Sequence, residues 1–94
     1  MAYHIVFASG AERDIAALRA FDRAAIYAAI ERFLSHQPEQ VSRSRIKKLV
    51  QPAIAQYRLR VANFRVYYNI ECGRVDVLHV VNKGGRMTEM RGVR

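Results

Sequence analysis

Residues 57–68 constrain the fold more than any other stretch of the chain. Tyr57, Leu59 and Val61 alternate with Arg58 and Arg60; after Ala62-Asn63, Phe64, Val66 and Tyr68 alternate with Arg65 and Tyr67. Alternation with a period of two puts successive side chains on opposite faces of a strand. Two such runs joined by a tight turn make an antiparallel hairpin. One face of that hairpin is apolar and has to be covered. The other carries three arginines and a tyrosine and has to stay open. A third run, Val75–Val81, follows the turn at Cys72-Gly73, so the second half of the chain reads as a three-stranded antiparallel meander.

The cover must come from the first half. Tyr3, Ile5 and Phe7 share one face of a short opening strand. Ser9 with Glu12 three residues on fits a capping box and predicts a helix from there, with Ile15, Leu18 and Phe21 as a narrow apolar stripe. Asp22 is expected to cap a second helix, in which Ile26, Ile30, Phe33 and Leu34 share a face. Alanines at 24, 25, 28 and 29 favour that helix, and Pro38 ends it by restricting the residue before it. So few residues separate the two helices that they should form an antiparallel hairpin. Residues 39–53 read as a polar, basic loop with a short ordered piece around Ile46, Leu49 and Val50. The tail is glycine-rich and basic, and 84–94 are expected to be flexible. The predicted order is β-α-α-β-β-β: an α+β fold with a helical hairpin packed on one face of a mainly antiparallel four-stranded sheet.

Ninety-four residues hold one core, so a single domain over 1–94 is expected. The longest apolar run, Ala24 to Ile30, is seven residues, against the roughly 20 that a membrane span needs. The opening MAYHIVFASG lacks the basic and long apolar regions of a secretion signal. Cys72 is the single cysteine, which leaves no internal disulfide and no metal-type pair. A cytoplasmic protein with no cofactor and no metal is expected. The charge is lopsided. Residues 1–40 carry four basic and five acidic side chains, whereas 41–94 carry twelve and three. Seven basic residues and no acid lie between Glu39 and Glu71. Such an excess suits nucleic acid or an acidic protein partner.

The stretch KKLVQPAIAQYRLRVANFRVYYNIECGRVDVLHVV resembles the RelE/ParE superfamily of bacterial toxins. The shared features are Lys48-Leu49, the strand Tyr57-Arg58-Leu59-Arg60, the strand Phe64-Arg65-Val66-Tyr67-Tyr68 and the valine-rich Val75–Val81. The opening strand and the helical hairpin also match, so the resemblance covers about residues 3 to 83. It implies the toxin of a type II toxin–antitoxin system, neutralised by a cognate acidic antitoxin in a hetero-oligomer. RelE-type members are endoribonucleases that cut mRNA in the ribosomal A site and so arrest translation and growth. ParE-type members poison DNA gyrase instead. A catalytically inactive antitoxin-binding paralogue is a third reading; the arginine density of the open face favours the mRNA interferase.

By position, the resemblance assigns Arg58, Arg60 and Arg65 to the basic strands of a RelE-type catalytic site. It assigns Lys83 or Arg86 to a late basic position. The C-terminal tyrosine common to such sites has no counterpart in MTEMRGVR; Tyr67 on the open face is the candidate to stand in. Cutting RNA without a metal requires a proton taken from the 2′-OH, a stabilised phosphorane and a protonated 5′-oxygen. Arg65 suits the phosphorane, because a guanidinium can pair two of its oxygens. Arg58 and Arg60 would position the phosphate. Arg43, Arg45, Lys47 and Lys48 are candidate RNA contacts, and Tyr67 could stack on an unpaired base. Arginine stays charged and is no base. Lys47, Lys48, His79 and Glu89 remain open for that role, although His79, in parity with Val75, Val77 and Val81, reads first as a partly buried structural histidine. His4, His36 and Cys72 read as structural.

Overall fold

The computed structural model describes residues 2–83. In chain order the elements are β1 (His4–Phe7), α1 (Ser9–Ala16), α2 (Ala20–Leu34), β2 (Ile46–Lys48), β3 (Tyr57–Val61), β4 (Phe64–Glu71) and β5 (Arg74–Asn82). The strands form one sheet in the order β1-β5-β4-β3-β2. β1 runs parallel to β5, and every other pairing is antiparallel. The class is α+β, as the sequence pattern requires, with one strand more than expected. The short ordered piece of the 39–53 loop is β2, which pairs Ile46 with Leu59, Lys47 with Arg58 and Lys48 with Tyr57. Ile46 is its core contact, while Val50, beyond the strand, is exposed.

Both helices start earlier than their apparent capping residues suggest. Ala8 donates its N–H to the Val77 carbonyl at 2.9 Å. That bond holds Ala8 extended, so Ala8 becomes the N-cap and Ser9 the first helical residue, and no capping box forms. Arg19 is the N-cap of α2, and Asp22 lies in its first turn, where a carboxylate suits the helix dipole. Its side chain pairs with Arg19 at 3.3 Å. Phe21 therefore belongs to α2 rather than to a stripe on α1, and it is 77% exposed. Arg23 reaches back to the Leu18 carbonyl at 3.0 Å, tying down the three residues between the helices.

The apolar faces meet as the alternation demands. Ile15 from α1 and Ile26, Ile30 and Leu34 from α2 pack with Leu59, Val66, Tyr68, Val75 and Val77 of the sheet. Tyr68 stacks on Tyr57 with ring centroids 5.5 Å apart and donates its hydroxyl hydrogen to the Pro38 carbonyl. Burial, reinforced by Tyr57, pushes the Tyr68 pKa above its ordinary value. The core so built leaves the opposite face of β2, β3 and β4 uncovered. No helix among the described residues is long and apolar enough to cross a membrane.

The alternation of β5 breaks where the register with β4 shifts between Tyr67 and Tyr68. Tyr68 faces Val77 and Tyr67 faces His79, so Leu78 is the extra residue. After it, Val80 is the buried residue, and His79 and Val81 join the open side. His79 is partly buried, as its sequence reading expects, with about half of its side chain (48%) exposed.

Candidate nucleic-acid interface

Strand register builds the site in rows. Lys47, Arg58, Tyr67 and His79 are successive partners across β2, β3, β4 and β5. Arg60 and Arg65 are partners in the next row, which continues to Val81. Arg45 extends that row beyond β2: its carbonyl accepts the Arg60 N–H at 2.8 Å, and its guanidinium donates to the Arg60 carbonyl at 3.1 Å. Ser42 holds the approach in place, its hydroxyl oxygen accepting the N–H groups of Arg45 and Ile46 at 3.1 and 3.2 Å.

These rows and the 42–47 segment enclose a cleft of about 360 Å³ lined by Arg43, Arg45, Lys47, Arg58, Arg60 and Arg65, with Ser42, Ser44 and Ile46. No carboxylate of the described residues lines it. The ion pairs of the described residues lie elsewhere, Arg19 with Asp22 and Arg74 with Glu71 and Asp76, and the Asp14 carboxylate faces His79 rather than the cleft. Arg65 sits at the centre of the excess. Its Nη1 reaches the Phe64 carbonyl at 3.3 Å, and its buried Nε has no hydrogen-bond partner among the described residues. Burial first, then the charges of Arg58 and Arg60, hold its pKa below the usual arginine value. Arg65 thus presents a planar donor fork among like charges, with its buried Nε unsatisfied among the described residues.

Six of the ten residues singled out from the sequence thus meet in one cleft. Tyr67 adjoins it in the row of Arg58, partly buried. Lys48 does not join them. One residue on from Lys47, it lines a separate cleft with Glu39, Gln51, Gln56 and Tyr57. Lys83 follows β5, its N–H bonded to the Asn63 carbonyl at 2.7 Å, which places it at the β3–β4 turn. Arg86 and Glu89 lie outside the described residues. The sequence reading missed Ser42 and Ser44, whose role depends on a turn, and Phe33. The Phe33 ring carries the guanidinium groups of Arg32 and Arg45, each 5.1 Å from its centroid, at the rim of the cleft. No group of carboxylate, histidine or cysteine side chains among the described residues is arranged to hold a metal ion.

No protein-family profile matches the chain, and no curated protein matches it. Solved structures do. A chain of the toxin–antitoxin complex RelBE2 from Mycobacterium tuberculosis is 25% identical, with a TM-score of 0.72 over 87% of this chain and 99% of that one. The chain has a RelE-like fold. Two archaeal complexes share the RelE-like fold at lower identity. The RelE–RelB complex of Pyrococcus horikoshii matches at 18% identity and a TM-score of 0.69, covering 90% of this chain and 99% of that one. The RelB–RelE complex of Methanococcus jannaschii matches at 19% and 0.60, covering 84% and 91%. The RelE-like fold extends over the sheet that carries the basic cleft.

Proposed function

We propose that this RelE-like chain is the toxin of a type II toxin–antitoxin pair and a ribosome-dependent mRNA endoribonuclease that arrests translation. The observation that carries this reading is the carboxylate-free arginine cleft with Arg65 at its centre. Arg65 pairs with the non-bridging oxygens of the scissile phosphate and stabilises the charge that grows on them as the 2′-oxygen attacks. Arg58 and Arg60 hold that phosphate in line. Arg43, Arg45 and Lys47 bind the flanking backbone, Lys48 and Lys83 extend the basic surface on either side, and Arg86, outside the described residues, is a further candidate contact. Tyr67 offers a ring to an unstacked base. An unpaired A-site codon supplies RNA in the single-stranded form that such a shallow cleft can engage.

The same surplus of positive charge explains the partner. A cognate acidic antitoxin that lies over the open face neutralises it and keeps RNA out. Expression of the chain alone should arrest bacterial growth, and co-expression with its antitoxin should restore growth and yield a complex. Primer extension on mRNA from induced cells should show cuts within translated codons. Intact mRNA together with gyrase-linked DNA breaks would replace this reading with a gyrase poison.

A further inference from the structure

The open face carries an arginine cleft with, among the described residues that line it, no group that accepts a proton near neutral pH. Such a group stands at the end of the row that begins with Lys47. His79 faces Tyr67 across β4 and β5, and Arg65 faces Val81 two positions along. His79 and Arg65 are therefore diagonal neighbours, with Cα atoms roughly 7–8 Å apart. His79 lies outside the arginine cleft, and an RNA strand that runs from the cleft toward β5 would meet it beyond Tyr67.

The histidine is held by two features of α1. Asp14 Oδ2 lies 3.3 Å from Nδ1 of His79 and accepts the Val80 N–H at 2.9 Å, which fixes the carboxylate against the edge of β5. A carboxylate at Nδ1 selects the tautomer with its proton there and leaves the lone pair on Nε2. Gly10 supplies the room. A Cβ at that position would stand 2.7 Å from Cε1 and 3.1 Å from Nδ1 of the ring. Glycine is a poor helix former, yet it occupies the first turn of α1, four residues before Asp14 and on the same helix face. One face of α1 thus provides both the gap and the carboxylate. The same Cβ would stand 3.2 Å from the Leu78 carbonyl oxygen, so the glycine also lets the backbone of β5 approach.

We propose that His79 is the general base of RNA cleavage, accepting the 2′-hydroxyl proton at Nε2, with Asp14 as its positioning residue and Gly10 as the seat of its ring. This rests on the mRNA-cleaving reading above. As Nε2 takes the proton, O2′ bonds to phosphorus and the P–O5′ bond breaks. The 5′-oxygen takes a proton from water, and the imidazolium returns its own to the hydroxide so formed. The products are a 2′,3′-cyclic phosphate and a 5′-hydroxyl end, with no other reactant consumed. Of the groups facing His79, Asp14 stabilises the imidazolium once it forms, and Arg65 lies on the diagonal. Tyr67, its partner on β4, bounds the third side.

The test is single-turnover cleavage of mRNA on programmed ribosomes across a pH series, with ribosome binding and thermal melting followed in parallel. His79→Gln should bind ribosomes and melt as wild type, cut 10²- to 10⁴-fold more slowly, and lose the acidic limb of the pH–rate profile. Asp14→Asn should slow cleavage and move that limb to lower pH. Gly10→Ala, whose Cβ would meet both the ring and the Leu78 carbonyl, should displace the ring and slow cleavage at temperatures well below its melting transition. A His79→Gln protein that cuts at the wild-type rate with the limb intact would overturn the assignment while leaving the mRNA-cleaving function standing. Wild-type protein that cuts no mRNA overturns that function itself. If His79→Gln does not fold, the wild-type protein still decides: the His79 pKa from NMR titration must coincide with the kinetic limb, and a mismatch overturns the proposal.

Discussion

Arg74 and Arg65 sit on adjacent strands of one sheet, near its opposite ends, and differ in whether their charge is met by the protein's own carboxylates. Arg74 donates to both oxygens of Asp76 at 2.8 and 3.1 Å and to Glu71 at 3.1 Å. The hydrogen bonds and charge of Asp76, helped by Glu71, hold its pKa above the usual arginine value. Arg65 has Arg58 and Arg60 for neighbours and its pKa moves the other way. Residue type and secondary structure are the same at the two positions. The difference is which side chains stand two or three residues away or directly across. Acids flank Arg74 in the chain, whereas none lies between Glu39 and Glu71. A charge neutralised within the protein has little left to offer a phosphate; a charge surrounded by its own kind gains most from one.

The largest effect expected from this contrast is at Arg65. Arg65→Ala should lower mRNA cleavage on the order of 10²-fold or more, while folding stability changes by less than about 1 kcal/mol because the core is untouched. Arg65→Lys should restore only part of the activity, keeping the charge without the fork. A normally folded, fully toxic Arg65→Ala protein would erase the distinction between the two arginines. Next comes a conversion of one environment into the other. Val81→Glu puts a carboxylate opposite Arg65 and imitates the surroundings of Arg74. RNA affinity should fall, and the dependence of log affinity on log salt should become shallower by about 0.7 for each phosphate that the face no longer neutralises. An unchanged salt slope would show that Arg65 does not touch the backbone.

A smaller effect separates both arginines from the core. Tyr68→Phe removes one buried hydrogen bond and should cost about 1 kcal/mol in urea unfolding. Its pH dependence is the sharper test. The folded Tyr68 pKa lies above its ordinary value of 10.0, so above that pH the unfolded chain releases a proton that the folded chain keeps. Stability is therefore intact below about pH 10 and falls as pH rises beyond it. The arginines keep their charge throughout, so the alkaline loss should flatten in Tyr68→Phe and persist in Arg65→Ala. The smallest effect is at Arg74. Arg74→Ala should leave cleavage and RNA affinity at wild-type values, since its charge is already satisfied; reduced cleavage in that variant would mean that ion pairing does not sort the two classes.

The open face was legible in the sequence because two adjacent strands repeat the same alternation. Once Leu59 and Val66 are inside, Arg58, Arg60 and Arg65 have no other side to occupy. β2 was not legible as a strand. Three residues are too few to display a period of two, and what makes Ile46–Lys48 a strand is pairing with residues about ten positions away. The helix starts were displaced because backbone bonds, such as that of Ala8 to Val77, overrode attractive local capping patterns. The face of His79 depends on the register shift opposite Tyr67, which leaves no mark in the spacing of valines. Its interaction with Asp14 joins positions 65 residues apart. The nearest sequence hint was a glycine inside a helical run, which marks a close approach without naming the neighbour.

The parallel pairing of β1 with β5 sets when this molecule can come into being. His4 meets Arg74, and Phe7 meets Val77, seventy residues further along the chain. At ordinary translation rates the first strand waits roughly 4–14 s for its partner to be made. The meander can form from its neighbours alone, but the edge that anchors α1 closes last. Pairings this distant in sequence also slow folding. Until β5 is out, Ala8 has no Val77 carbonyl to bond and Asp14 has no Val80 amide, so the nascent chain carries its arginines before it has a finished surface on which to use them.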